Sequence, residues 1–486
     1  MNFNGNLLSG DFMRKNTGKK VFILKKQVYL YAAATVMAVV LLFISIFCIN
    51  TDNELVFYYS PSENGAVILS GDSMLRKIVP GKSVARVRYC ENKVSGAVLM
   101  SEGSAYSLYY VSGNSVDKIS EDCTSNYVFA NSGNSIAYVA GDGYLYFYDT
   151  AKNKTVKVDE NVTTVAVSPD GSRLLYSKTE GNITGLYVYS NKKSVHVADN
   201  YIPLAVSDDA SMIYVLSNDN SLYVLDSQGN VKSKLCTDCD TGIFCFSENV
   251  KTILFTDGKY SYISDEGKSR VRIGPGKVVP AFLTAESSIC NSSGNVYIYR
   301  EKDLTQKVYV SADGVNSYSL YYINKDMTRT DISSDANRYS IIDNGVVYIN
   351  TKGEVRRFRK NKDELLINGA SDMHASADGR YVYYVTNGNK LYSFRNGKAM
   401  LLADGLEKMY MSDSDRLYFI MTDKTMYSVK NGKRSDLIDE NVYTCRCGSG
   451  VVYYSKNYSS RTGTFELYGT EKELAFRYIS DSLTRI

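Results

Sequence analysis

The sequence predicts an all-β protein of the β-propeller class, on three observations. Short apolar runs alternating at a period of two recur from about Leu55 to the C-terminus. Turns of the type Ser-x-Asp-Gly recur at a fixed phase. The marker serines step by 36 to 40 residues, which is the length of one four-stranded unit. Composition agrees: 42 Tyr, no Trp and only 6 Pro in 486 residues suit strands joined by tight turns.

The stretch 164–199 illustrates one unit. Thr164 to Ser168 reads as a strand and Ser168-Pro169-Asp170-Gly171 as a turn: Pro presets φ, Asp bonds the backbone ahead and Gly accepts positive φ. Leu174 to Ser177 returns. Gly185 to Ser190 is a third strand, with Leu186 and Val188 on one face and Tyr187 and Tyr189 on the other. Ser194 to Ala198 is the fourth. Both faces are apolar, so each sheet needs cover on both sides, and copies of itself are the simplest cover. Copies follow the markers Ser132, Ser207, Ser247, Ser376 and Ser412, with weaker ones near Ser60, Asn92, Thr284 and Asp343. About eleven four-stranded units result. Eleven exceed a usual ring of four to eight blades, and Gly274-Pro275-Gly276 interrupts the pattern after about six. Two tandem propellers, 55–275 and 276–486, are therefore expected; one ring with degenerate decorations is the alternative.

Ahead of the repeats, Val28 to Ile49 is an uncharged apolar run of 22 residues, long enough to cross a bilayer as a helix. Residues 1–27 carry Arg14, Lys15, Lys19, Lys20, Lys25 and Lys26 against Asp11. That bias predicts a cytoplasmic basic tail (1–27), an uncleaved transmembrane helix (28–49) inserted in the cytoplasmic membrane, and an extracytoplasmic body. A cleaved signal fits less well, since the run is too long and no A-x-A-like site follows it. The whole chain has a formal net charge of +4. The tail holds more than all of it, so the body has no basic excess and no electrostatic case for nucleic acid.

Ser168 to Tyr176 (SPDGSRLLY), and nearly as well Ser376 to Tyr384, resembles the repeat of TolB-type, WD40-like propellers. The pairs Leu186-Tyr187, Leu222-Tyr223 and Leu391-Tyr392 fit the third strand of such a blade. The resemblance covers roughly 55–486 and implies the fold rather than the activity. With the N-terminal anchor, the chain looks more like the anchored extracytoplasmic propellers of Gram-positive bacteria than like TolB itself.

Catalytic chemistry has little material. Only two histidines exist, His196 and His374, too few for a His-based metal site or a Ser-His-Asp relay. No nucleophile elbow, P-loop or dinucleotide fingerprint occurs. Cys236-Thr237-Asp238-Cys239 is read as a local disulfide or plain loop thiols rather than a redox or zinc motif. Cys445-Arg446-Cys447 is read as presenting its thiols to opposite faces. The Asp-Gly turns at Asp170 and Asp378 lack calcium-loop spacing. The expectation is a non-enzymatic binding or scaffold module for a protein, peptide or glycan at the propeller rim, with no cofactor, catalytic or metal residue to name. The alternative is a cell-envelope hydrolase or lyase using carboxylates at the propeller opening. The irregular stretch between Thr284 and Asp343 is the place to look for a specific feature.

Overall fold

In the computed structural model the described residues run from 55 to 485, leaving out 61–64, 71–76, 82, 91–93, 102, 104, 113–114, 269, 282–287, 291–296, 302, 313–316, 413–414, 448–450, 462–464 and 472–474. They are all-β: among them there is no helix.

The turns form as their residues require. Ser168 Oγ donates to Asp170 Oδ1 at 2.7 Å, and the same carboxylate takes the Ser172 N–H at 2.8 Å. The Arg173 N–H closes the loop on Ser168 Oγ at 3.0 Å. Ser207 with Asp209, Ser247 with Asn249 and Ser376 with Asp378 repeat the first bond at 2.7 Å. The Asp-Gly turns therefore spend their carboxylates on their own backbone.

Strands two and three of the units are joined by directly opposed aromatic pairs. Tyr138–Tyr146, Tyr176–Tyr187, Phe255–Tyr262, Tyr384–Tyr392, Phe419–Tyr427 and Tyr454–Tyr468 are all stacked, with centroids 5.3 to 5.7 Å apart. Each pair occupies facing register positions. Cross-strand aromatic pairs are a stabilising unit of sheets, and they explain much of the tyrosine content.

Eight sheets result among the described residues. Sheet 1 joins strands Leu55–Ser60, Gly65–Ser70 and Lys77–Pro80 to the four strands between 442 and 485. Sheet 2 holds seven strands between 83 and 159. Sheets 3 and 4 hold four strands each, over 162–199 and 201–236. Sheet 5 holds Asp240–Ser247, Thr252–Thr256, Tyr260–Asp265 and Arg270–Pro275. It then gains Tyr297–Glu301, which pairs in parallel with Asp240–Ser247, and Ser288–Cys290. Sheet 6 joins Val278–Pro280 to six strands between 307 and 367; sheets 7 and 8 are four-stranded, over 370–404 and 406–434.

The expected architecture needs correction. Instead of eleven separate four-stranded sheets there are eight, of four to seven strands. The cause is long strands that serve two units. Ser115–Phe129 pairs through its first half with Tyr106–Ser112 and through its second with Ser135–Ala140. Arg329–Ile342 does the same in sheet 6. Nor are there two rings. Apolar cores join sheet 1 to 2 through Val79 and Val98, 2 to 3 through Val128 and Val165, and 3 to 4 through Leu175 and Val215. Sheet 4 meets 5 through Tyr214 and Phe246, and 5 meets 6 through Ile263 and Tyr309. Sheet 6 meets 7 through Ile349 and Met373, 7 meets 8 through Tyr383 and Phe419, and 8 returns to sheet 1 through Ile420 and Val452. The packing makes one closed circuit. Its first strands are latched side to side: Asn126 Nδ2 donates to the Thr163 carbonyl at 3.0 Å, Arg338 pairs with Asp372 at 3.1 Å, and Lys408 Nζ donates to the Tyr443 carbonyl at 3.0 Å.

The expected transmembrane helix Val28–Ile49 and the basic tail 1–27 lie outside the described residues. No helix among the described residues is long and apolar enough to cross a membrane. The expectations resting on that helix (an anchor in the cytoplasmic membrane, a single-pass topology, a cytoplasmic N-terminus and an extracytoplasmic body) find no support in the structure and are withdrawn from the functional reading.

Candidate functional site

The residues that converge on a cavity lie at the seam between sheets 5 and 6. The last strand of sheet 5, Arg270–Pro275, forms a hairpin with Tyr260–Asp265, in which Arg272 stands opposite Tyr262. The Arg272 guanidinium lies over the Tyr260 ring, 4.6 Å from its centroid. Gly274 sets the approach of the next sheet: a Cβ there would come within 2.7 Å of the Tyr321 ring. From sheet 6, Arg329 lies over that same Tyr321 ring at 5.3 Å. Its Nη1 donates to the Ile273 carbonyl at 2.8 Å, and its Nε pairs with Asp331 at 2.7 Å.

These groups, with Ser319 and Ser333, line an open cavity of about 570 Å³. The two arginines differ in state. Arg329 is committed to Asp331 and to a neighbouring strand. Arg272 is exposed, and its side chain makes no hydrogen bond or ion pair among the described residues. A guanidinium fixed on an aromatic face has a planar fork of donors ready for a carboxylate or phosphate.

A second cavity of about 480 Å³ lies at the seam between sheets 4 and 5, lined by Lys234, Cys236, Thr237, Asp257, Lys268 and Arg270. Cys236 and Cys239 are both buried free thiols, so no local disulfide is present.

The other residues singled out from sequence do not assemble into a site. His196 is exposed, 2.8 Å from Asp199 and edge-on to Tyr187. His374 sits far from it in sequence on the strand Ala370–Ala375, where burial lowers its pKa. The reading of Cys445 and Cys447 was wrong. Residues two apart on a strand share a face, and burial, with the Cys447 thiol nearby, pushes Cys445 well above the usual thiol range. No group of three potential metal ligands occurs among the described residues. Asp240, Asp372 and Glu407, each on the first strand of its sheet, are ion-paired with Lys277, Arg338 and Lys424.

Sequence reasoning did not find Arg272, Arg329, Tyr260 or Tyr321. The signal present was the Gly274-Pro275-Gly276 interruption and the irregular stretch beyond it, since Ser319, Tyr321, Arg329 and Ser333 all fall between 284 and 343.

No family model matches the chain, and no curated protein matches it. Among solved structures it is similar to PorZ, a surface component of the type-IX secretion system of Porphyromonas gingivalis, at 11% identity and a TM-score of 0.32, over 86% of this chain and 64% of that one. It is similar to TolB of Acinetobacter baumannii at 15% identity and a TM-score of 0.31, over 46% of this chain and 64% of TolB. It is similar to a eukaryotic initiation factor at 10% identity and a TM-score of 0.41, over 90% and 98%. The chain thus spans just under two thirds of the length of the first two. At these scores the likenesses assign neither family nor activity. With no family model matching, the expected membership in the TolB-type, WD40-like group is corrected: its repeat motif is a turn chemistry, met by Ser, Asp and Gly at fixed offsets.

Proposed function

We propose that this β-rich body is a non-catalytic binding module that captures an acidic segment of a partner protein or peptide at the seam between sheets 5 and 6. The observation that carries this reading is Arg272, stacked on Tyr260 and otherwise unpartnered among the described residues, on the wall of a 570 Å³ cavity. A carboxylate entering there meets a bidentate donor held on the Tyr260 ring.

The test is binding of a glutamate-rich peptide, followed by calorimetry, to the full chain and to Arg272→Ala. Arg272 is exposed, so its removal leaves the core intact. Loss of a hot-spot arginine is expected to weaken binding about 30-fold, equivalent to roughly 2 kcal/mol. Binding should also weaken with salt. Equal affinity in Arg272→Ala, or preference for a lysine-rich peptide, would overturn the reading.

A further inference from the structure

The cavity between sheets 4 and 5 holds a different chemistry, independent of the acidic-ligand reading. Cys236 ends the strand Val231–Cys236, and Cys239 immediately precedes the strand Asp240–Ser247. Only Thr237 and Asp238 separate them. Asp238 has a φ of +54°, a left-handed kink that folds the chain back on itself. The Cys239 N–H donates to the Asn220 carbonyl at 2.8 Å, which fixes the end of the turn. The Cys236 thiol faces the Thr237 carbonyl of the same turn, 3.5 Å away.

The surroundings of the two thiols differ. Cys236 lines the cavity together with Lys234, Lys268, Arg270 and one carboxylate, Asp257, whereas Cys239 does not line it and points its proton at the Thr256 carbonyl, 3.1 Å away. Arg270 is held in place by its bond to the Leu235 carbonyl at 3.0 Å and by the Tyr262 ring, 4.5 Å below its guanidinium. The neighbouring Cys239 side chain holds the Cys236 thiol below its ordinary range, against the effects of burial and of the Asp257 carboxylate, with Arg270 acting in the same direction as Cys239. The nearby Cys236, together with burial, pushes Cys239 up. A low thiol at a cationic cavity wall beside a high, inward-facing one is the division of labour of an attacking and a resolving cysteine. Here a kinked turn and the fixed Arg270 guanidinium take the place of a helix N-terminus.

We propose that Cys236 and Cys239 form a thiol–disulfide exchange site that accepts a small disulfide through this cavity. The Cys236 thiolate attacks one sulfur of the entering disulfide. A new bond forms from Cys236 to that sulfur, the original S–S bond breaks, and one thiolate leaves and takes up a proton. Cys239 then loses its proton to solvent and attacks Cys236 Sγ. The mixed disulfide breaks, the second thiolate leaves and is protonated, and Cys236 is bonded to Cys239. One small disulfide is reduced to two thiols, and one protein dithiol is oxidised.

The experiment exposes the full reduced chain to glutathione disulfide, quenches with iodoacetamide at intervals, and maps cysteines by mass spectrometry. The expected result is a Cys236–Cys239 disulfide formed about tenfold or more faster than any modification of Cys90, Cys123, Cys245 or Cys445. Cys239→Ser should stop at glutathione on Cys236, and Cys236→Ser should leave Cys239 reduced. Two results overturn the proposal: wild-type Cys236 and Cys239 staying reduced while the chain is folded, or Cys239 capturing glutathione in Cys236→Ser as fast as the pair reacts in the wild type. The wild-type time course needs no variant, so a folding defect in either serine variant leaves the test intact.

Discussion

At the residue scale, small polar clusters tie one unit to the next, and one of them is written twice. The sequence Asp-Glu-Asn-Val occurs at Asp159–Val162 and at Asp439–Val442. In the first copy Tyr176 Oη donates to Asp159 at 2.6 Å and Lys178 Nζ reaches the same carboxylate at 3.2 Å. In the second, Tyr454 Oη donates to Asp439 at 2.7 Å and Lys456 Nζ at 2.6 Å. Asn161 and Asn441 both adopt a positive φ, near +57°, so the backbone leaves the turn the same way in each copy. Tyr176 is fully buried, and its hydroxyl bonds a charged group, so Tyr176→Phe and Tyr454→Phe are each expected to cost about 1.5–3 kcal/mol in denaturant unfolding. Asp159 adds a pH signature. Burial pushes its carboxyl up, but the Tyr176 hydroxyl, the Glu160 N–H and Lys178 outweigh it and hold the pKa below 3.8. A depressed carboxyl stabilises the fold above its unfolded value and loses that contribution as pH falls through the folded one. The acid limb below about pH 3.8 should therefore be shallower in Tyr176→Phe than in the wild type; parallel acid limbs would show that the pair does not carry this contribution.

At the scale of the element, the turns do more than reverse the chain. Gly171 has a φ of +78°, and a Cβ there would come within 2.5 Å of Ser135 Oγ, which itself donates to the Gly171 carbonyl at 3.0 Å. The turn of one unit is thus pressed against the strand of the one before. Gly181 has a similar φ of +63° but open space around it. Gly181→Ala should therefore cost only the backbone term, about 1–2 kcal/mol, and Gly171→Ala distinctly more; equal midpoints would remove the inter-unit contact from the account. Turns of this kind were readable from sequence because Ser, Asp and Gly at fixed offsets have few other uses. The long strands were not. Ser115–Phe129 has a polar middle, Glu121 to Asn126, that reads as a linker. It stays extended because each half finds its partner on a different neighbour, a fact that local pattern does not carry. The candidate groove was invisible for the same reason. Arg272 and Arg329 are far apart in the chain, and each looks like an ordinary exposed cation until Gly274 lets Tyr321 bring the two sheets together.

At the scale of the whole molecule, closure is what distinguishes a circuit from an open stack. An open stack of sheets gains stability from nearest neighbours only, and its end units fray. Here the strand Ala475–Arg485 first pairs with Phe465–Glu471, then continues to Leu55–Ser60, with Tyr58 opposite Arg485 and Tyr59 opposite Thr484. One strand therefore joins the two ends of the folded body across more than 400 residues of intervening chain, at only a slowly growing cost in loop-closure entropy. Its free edge would otherwise be an unpaired strand. Ending the chain after Glu471 removes this clasp while leaving the apolar contacts between sheets 8 and 1 in place. If the clasp closes the circuit, the truncated chain should unfold at lower denaturant and in a broader transition. Amide exchange should rise in Leu55–Ser60 as well as in Phe465–Glu471, although the former lies at the other end of the sequence. Faster exchange confined to Phe465–Glu471, with an unchanged midpoint, would mean that the two ends are held independently and that the body behaves as an open stack.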